Sequence, residues 1–306
     1  MLEFEFDVTT TSTDRRNYLR SVGVSAIATA GLSGIAAAGG LENRPAEEGS
    51  SVKELGLDQK VESFLENRKL KELERVFERN DVETNYRAQE VRFTIQGAGR
   101  KIQTTEVSGD NPRIGPQDYF ESSTFAGGVY NYHGDKYAAV TAADLSDAAL
   151  GRNADGSGPS PRDVASVGWE GDIFGATGET MVTTELDFPD GSTKDMSPKY
   201  KNKPNDPTVG PHPNAYVLGL KDDKKSFSRT KKMAPKSAYA GFQCKLRKQS
   251  QDTGQIVPKY MHTWSFLNIA KFNILESLTI APKGVGINLD LPHGADSYSL
   301  GRPYNR

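Results

Sequence analysis

The chain of 306 residues has one cysteine, Cys244, and therefore has no intrachain disulfide. Around it, Phe242, Cys244 and Leu246 fall on one face of a predicted strand. We expect a buried, unreactive thiol, because reactive thiols need an exposed electropositive setting. Common catalytic motifs are also missing: Gly-x-Ser-x-Gly, His-Glu-x-x-His, a phosphate-binding glycine loop and Cys-x-x-Cys. The enzyme classes that depend on them are excluded.

The chain also lacks an apolar run of the roughly 20 residues that a membrane span needs. The longest mildly apolar stretch, residues 22–38, consists mainly of Ala, Gly, Ser and Thr. The segment before it resembles a twin-arginine export signal, which a translocase reads. The residues that carry this resemblance are Arg15, Arg16, Tyr18 and Leu19. We expect cleavage near Ala38; the alternatives are an uncleaved N-terminal anchor and a chance arginine pair before a short core helix.

After this signal peptide (1–38) the sequence predicts a linker (39–51), a helical pair (52–81) and one β-sandwich domain (82–306). Ser51 and Glu54 have the spacing of a capping box at a helix start. Apolar residues then recur every three or four positions, which predicts two short amphipathic helices that dock on the following domain. These residues are Val61, Phe64, Leu65, Leu70, Leu73, Val76 and Phe77.

From residue 83 onward the apolar residues recur at every second position. Three such segments are 91–95, 182–188 and 285–291, and clusters rich in Gly, Pro and Asp lie at 108–112, 155–159 and 189–192. One polar face, many turns and no long helix predict a mainly β fold. We expect an antiparallel, jelly-roll-like β-sandwich with long polar loops.

The segment Tyr-Met-His-Thr-Trp-Ser at 260–265 precedes two predicted strands, at 277–281 and 285–291. With the helical pair, the export signal and Val-Gly-Trp-Glu at 167–170, it resembles a group of twin-arginine-exported β-sandwich proteins of halophilic archaea. No activity is assigned to that group, so the resemblance implies export and fold. The charge departs from the halophilic pattern: without the leader's three arginines and four acidic residues, 35 basic and 36 acidic residues remain.

Near-neutrality conceals two blocks of opposite charge. Residues 102–193 contain 15 acidic and four basic residues, a net charge of −11. Residues 194–259 contain 15 basic and five acidic residues, a net charge of +10. The blocks either expose a basic surface for an anionic cell-surface polymer or neutralise each other as neighbouring strands. We name the densest basic residues the basic cluster: Lys221, Lys224, Lys225, Arg229, Lys231 and Lys232.

Nucleic acid is not an expected partner of the basic block. Its aromatic residues, Tyr200, Phe227 and Tyr239, are too sparse for a base-stacking platform.

Two sets of carboxylates could carry chemistry. Glu170 and Asp172 share one side if they lie on a strand, and with Trp169 they would suit a glycosidase; a solvated face is the alternative. The second set has the alternating oxygen ligands that begin a calcium loop, but Val164 replaces the closing glutamate. A plain Asp-Gly turn is the alternative there. This set consists of Asn153, Asp155 and Ser157.

The four histidines, His133, His212, His262 and His293, include no local metal-binding pair. We expect His262 to share a strand face with Tyr260 and Trp264, as a hydrogen-bonded core or rim residue. No cofactor is expected. The sequence favours an exported protein with a binding or envelope-structural role, then a secreted carboxylate-dependent hydrolase, then a secreted antimicrobial protein.

Overall fold

The computed structural model describes residues 49–96, 101–106, 122–145, 163–196, 198–209, 213–220, 225–226, 232–233, 235–265, 278–280, 287–289 and 295–306. They belong to the compact unit Ala36–Arg306. Two helices, α1 (Asp58–Glu66) and α2 (Leu70–Arg79), precede antiparallel strands. The prediction of a mainly β, antiparallel fold behind a short helical pair is confirmed. No helix in these ranges is long and apolar enough to span a membrane.

The larger sheet has seven strands: β1 (Arg87–Gln96), β2 (Lys101–Glu106), β3 (Ser122–His133), β4 (Lys136–Leu145), β6 (Phe174–Asp187), β7 (Thr193–Lys194) and β12 (Ser237–Lys248). Their spatial order is β2-β1-β3-β4-β12-β6-β7. The acidic strand β6 thus lies beside the basic strand β12, and the two strands pair with each other in antiparallel orientation over most of their length.

The smaller sheet consists of β5 (Asp163–Trp169), β8 (Lys199–Asn202), β9 (Ala215–Leu220), β13 (Gln255–Ser265) and β16 (Ala295–Gly301) in the order β16-β13-β5-β9-β8, with β17 (Tyr304–Asn305) also on β13. Two hairpins complete the described strands: β10 (Lys225–Ser226) with β11 (Lys232–Met233), and β14 (Leu278–Ile280) with β15 (Ile287–Leu289). The last of these is shorter than the alternation at 285–291 predicts.

One apolar core joins the two large sheets. The rings of Phe125 on β3 and Tyr260 on β13 are 5.9 Å apart, and those of Tyr216 on β9 and Phe242 on β12 are 5.8 Å apart. Cys244 is buried in this core, as predicted, and burial raises the pKa of its thiol. Shared burial between the sheets is consistent with the predicted β-sandwich.

A second core lies between the helices and the opposite face of the seven-stranded sheet. Phe77 of α2 contacts Tyr86 and Tyr130, with ring centroids 5.6 and 5.0 Å apart. On β4 the two cores alternate, because Ala139 faces the first and Ala138 and Val140 face the second. The predicted docking of the helical stripe on the following strands is confirmed.

The capping box forms, but it does not start a helix. The Ser51 amide donates to Glu54 Oε2 at 3.2 Å, and the Glu54 amide donates to Ser51 Oγ at 3.4 Å. These bonds open a turn over residues 52–56, in which Gly56 has φ 65°, and α1 begins at Asp58. The predicted helix start at residue 52 was therefore wrong, because a left-handed glycine interrupts the helical path.

Candidate functional site

The carboxylates Glu170 and Asp172 lie in a turn between β5 and β6. The amides of Ile173 and Phe174 donate to the Glu170 carbonyl oxygen at 3.1 and 2.8 Å, which closes the turn. Trp169 has no exposed surface, and its ring packs 5.7 Å from that of Tyr216 in the core. The glycosidase interpretation required a strand at Glu170 and Asp172 and an accessible aromatic platform at Trp169, and the structure shows a turn and a buried indole instead. The half-buried Glu170 and the exposed Asp172 have no sugar-stacking surface in Trp169.

His262 forms a buried network with Asp163 and Tyr260. Its Nδ1 lies 3.0 Å from both carboxylate oxygens of Asp163, and the Tyr260 hydroxyl donates to Asp163 Oδ2 at 2.9 Å. The side chains of His262 and Asp163 are 0% and 5% exposed. The prediction of a hydrogen-bonded core histidine is confirmed. Burial of both partners favours a role in joining β13 to β5 over contact with a soluble ligand.

The other candidate ligands do not converge with His262. His133 is exposed at the turn between β3 and β4. The structure describes neither His212 and His293 nor the proposed calcium residues Asn153, Asp155 and Ser157. Among the residues it does describe, no group of three His, Cys, Asp or Glu side chains could hold a metal ion.

Two members of the basic cluster lie on the β10–β11 hairpin. Lys225 pairs with Met233, and Lys232 pairs with Ser226, so the backbone brings Lys225 and Lys232 to adjacent register positions. The other four members, Lys221, Lys224, Arg229 and Lys231, fall outside the described residues, as do the export residues Arg15, Arg16, Tyr18 and Leu19.

Carboxylates of the acidic block pair with cations of several origins. Glu179 accepts from Lys245 Nζ at 2.8 Å, and Asp135 lies 3.6 Å from Arg247 Nε. Both cations belong to β12, so this strand is partly neutralised by its neighbours, as the second interpretation of the charge blocks expected. Other acidic residues, Asp163, Glu185 and Asp187, pair instead with His262 or with Arg68 of the helical turn.

Arg68 is an anchoring residue that the sequence did not reveal. It has φ 60° between α1 and α2, and it binds Asp187 through two hydrogen bonds of 2.5 and 3.1 Å. Its guanidinium also lies 3.0 Å from Glu185 and 5.6 Å from the ring of Tyr239. The Tyr239 hydroxyl donates to the Leu65 carbonyl at the end of α1. These contacts fix the helical turn on β6 and β12. The only sequence signal was the gap in the apolar pattern between Leu65 and Leu70.

The Arg68 contact predicts a pH-dependent stability. The hydrogen bond from Arg68 holds the pKa of Asp187 below its usual value, although burial opposes this and Ser237 assists. A lowered pKa in the folded state stabilises the protein above the unfolded-state value near 3.9, and the gain is lost as pH falls through the folded value. Asp187→Asn should cost about 1 kcal/mol at pH 7 and progressively less as the pH falls below about 3.9, as measured by urea unfolding. A cost independent of pH would contradict this.

No protein-family model and no curated protein matches the chain. Among solved structures it is similar to one titled BspA_C_mut, at 8% identity and a TM-score of 0.28 over 45% of this chain and 49% of that one. It is also similar to the C-terminal domain of the Streptococcus pyogenes antigen I/II-family protein AspA, at 9% identity and a TM-score of 0.25 over 47% and 52%. The chain thus spans about half the length of each.

A third similarity is to the Clostridium perfringens NetB toxin in its membrane-inserted form, at 7% identity and a TM-score of 0.23 over 72% of this chain and 95% of that one. TM-scores below 0.5 do not establish a shared fold, so nothing about function follows from these matches.

Proposed function

We propose that the protein is exported by the twin-arginine route and acts at the cell surface or outside the cell as a non-catalytic β-sandwich protein. Its partner is an anionic polymer, which binds the basic cluster. The observation that supports the proposal is the β10–β11 hairpin, whose register places Lys225 and Lys232 one position apart on paired strands, while acidic residues pair with Arg68, His262 and β12. The resemblance to exported proteins of halophilic archaea supports the extracellular location.

The physics of exposed charge sets the conditions for such binding. Clustered lysines focus positive potential and raise the association rate with a polyanion. Each contact is screened beyond about 10 Å at 0.1 M salt, so binding must weaken as salt rises. The near-neutral charge of the chain, 38 basic against 40 acidic residues, suits a habitat of low or moderate salt.

We expect the variant K224Q/K225Q/K231Q/K232Q to bind heparin about 30-fold more weakly than wild type at low salt. Four ionic contacts of about 0.5 kcal/mol each would give this factor. The matched control K60Q/K69Q/R75Q/R79Q removes the same charge from exposed helical positions and should bind nearly as wild type. Equal binding by the two variants would mean that the cluster is neutralised internally, and a structural role would then be the better account.

Export is tested separately by changing Arg15 and Arg16 to lysine. The translocase receptor reads the arginine pair, so the R15K/R16K variant should accumulate in the cytoplasm while wild type leaves it. Cell fractionation measures the distribution. Continued secretion of this variant, stopped by a block of the general secretory route, would show that the assignment is wrong.

A further inference from the structure

Three lysines from separate parts of the chain act electrostatically on Glu179 of the seven-stranded sheet. Lys245 of β12 donates from Nζ to Glu179 Oε2 at 2.8 Å. The charges of Lys136 and Lys53 also act on this carboxylate. Lys136 is brought there by its pairing with Arg247 of β12, and Lys53 by the hydrogen bond of its amide to the Tyr132 carbonyl at 3.0 Å.

Lys245 is held in place as a protonated amine. Its side chain is 13% exposed, and its ammonium lies 4.0 Å from the centre of the Tyr132 ring. Burial lowers the pKa of Lys245, but hydrogen bonds to Glu179 and Tyr132 raise it by more, so the net shift is upward. The site therefore contains one cation whose position and charge are fixed before any ligand arrives.

The charge around Glu179 is unbalanced. This carboxylate is 51% exposed and is paired with Lys245. Within the described ranges, the ammonium groups of Lys53 and Lys136 make no ion pair or hydrogen bond. Of the two acidic residues next to these lysines in the chain, Asp135 pairs with Arg247, and Glu54 is hydrogen-bonded to the uncharged Ser51. Three lysines are thus set against two carboxylates that have no other cation, and the ammonium groups of Lys53 and Lys136 remain available to an incoming anion.

We propose that Lys53, Lys136 and Lys245 form a second anion-binding site, in which Glu179 acts as an internal anion, and that its ligand is an acidic polysaccharide. The hydroxyl groups of a sugar can donate to Glu179 while its carboxylate or sulfate groups bind the lysines. Nucleic-acid phosphates offer no hydrogen-bond donor to Glu179, whereas each residue of an acidic polysaccharide carries hydroxyl donors beside its anionic group. The inference deepens the proposed function, because the same polymer would span this site and the basic cluster.

The test measures the affinity of the protein without its signal peptide (residues 39–306) for polygalacturonate at low salt, by isothermal titration calorimetry. K53Q/K136Q should weaken binding roughly fivefold, against less than twofold for the matched control K69Q/R75Q on exposed helical positions. Glu179→Gln should strengthen binding several-fold, because it removes the internal anion and leaves an amide oxygen that still accepts. Glu72→Gln makes the same charge change on the exposed face of α2 and should alter affinity less than twofold.

Each result that contradicts the proposal has a separate interpretation. Wild-type affinity of K53Q/K136Q, with binding lost only in K224Q/K225Q/K231Q/K232Q, would overturn this site and leave the proposed function intact. An effect of Glu179→Gln no larger than that of Glu72→Gln would overturn the internal-anion role. Single-stranded DNA bound as tightly as polygalacturonate would overturn the choice of polysaccharide. If wild type binds neither polymer, the inference and the proposed function both fail.

Discussion

Replacing Trp169 with alanine is expected to lower the free energy of unfolding by about 3–5 kcal/mol. The indole has no exposed surface and lies against Tyr216 in the core shared by the two sheets. Removing it leaves a cavity that strands on both sides can fill only in part. For a domain of this size the melting temperature should fall by roughly 10 °C, which thermal unfolding followed by circular dichroism would measure.

Two further variants show that this effect comes from packing. Trp169→Phe keeps an aromatic contact with Tyr216 and should cost about 1–2 kcal/mol. Asp172→Asn changes an exposed carboxylate three residues away and should leave stability within about 0.5 kcal/mol of wild type. If the alanine variant kept wild-type stability and lost binding to a sugar, Trp169 would be a binding platform and its buried placement would be wrong.

The periodicity of apolar residues predicted the helices and strands that have one buried face and one face exposed to solvent. The helical stripe that contains Leu73 and Phe77 packs as expected. On β12, Phe242 and Cys244 face the core shared by the sheets, as the alternation predicted. Strand β5 carried no such signal, because all of its described positions from Asp163 to Trp169 are buried. A strand buried on both faces shows no alternation, which left Trp169 open to interpretation as part of a sugar-binding site.

Polar anchors escaped prediction for a different reason: their partners are distant in sequence. Arg68 and Asp187 are 119 residues apart. Glu83 is buried, and its carboxylate accepts from the Tyr304 hydroxyl at 2.7 Å, 221 residues away, and from Asn131 Nδ2 at 2.8 Å. Arg306 Nε lies 3.0 Å from the same carboxylate. Local spacing contains no information about such pairs, because the order of the strands in the sheets brings the partners together.

The charge blocks show how much the strand order adds to composition. Counting residues left two interpretations open, and the pairing of β6 with β12 now supports the neutral one for part of the basic block, through Glu179 and Lys245. It also creates the imbalance from which the second anion-binding site is inferred, because Lys136 arrives on β4 from the other side of β12. Pairing of β6 with β12 therefore neutralises charge between Glu179 and Lys245. Pairing of β4 with β12 adds the positive charge of Lys136, two strands away from β6.

Replacing Gly128 with alanine is expected to cost at least about 3 kcal/mol, because the substitution meets two obstacles together. Its φ of 151° is a conformation that residues with a side chain rarely adopt. A Cβ atom there would lie 2.3 Å from the Tyr86 Cα and 2.6 Å from the Tyr86 nitrogen. These are backbone atoms, so relief would require Tyr86 to move, together with its hydroxyl contact to the Leu70 carbonyl at 3.3 Å.

The adjacent glycine supplies the matched control for Gly128→Ala. At Gly127 the nearest atom to an added Cβ is the Val140 carbonyl oxygen at 3.5 Å, an ordinary contact, so Gly127→Ala should change stability by less than about 1 kcal/mol. Urea unfolding of both variants measures the difference. Near-equal midpoints would mean that β3 does not approach Tyr86 so closely. A large loss of stability confined to Gly128→Ala would confirm the close contact between Gly128 on β3 and the backbone of Tyr86, which follows α2.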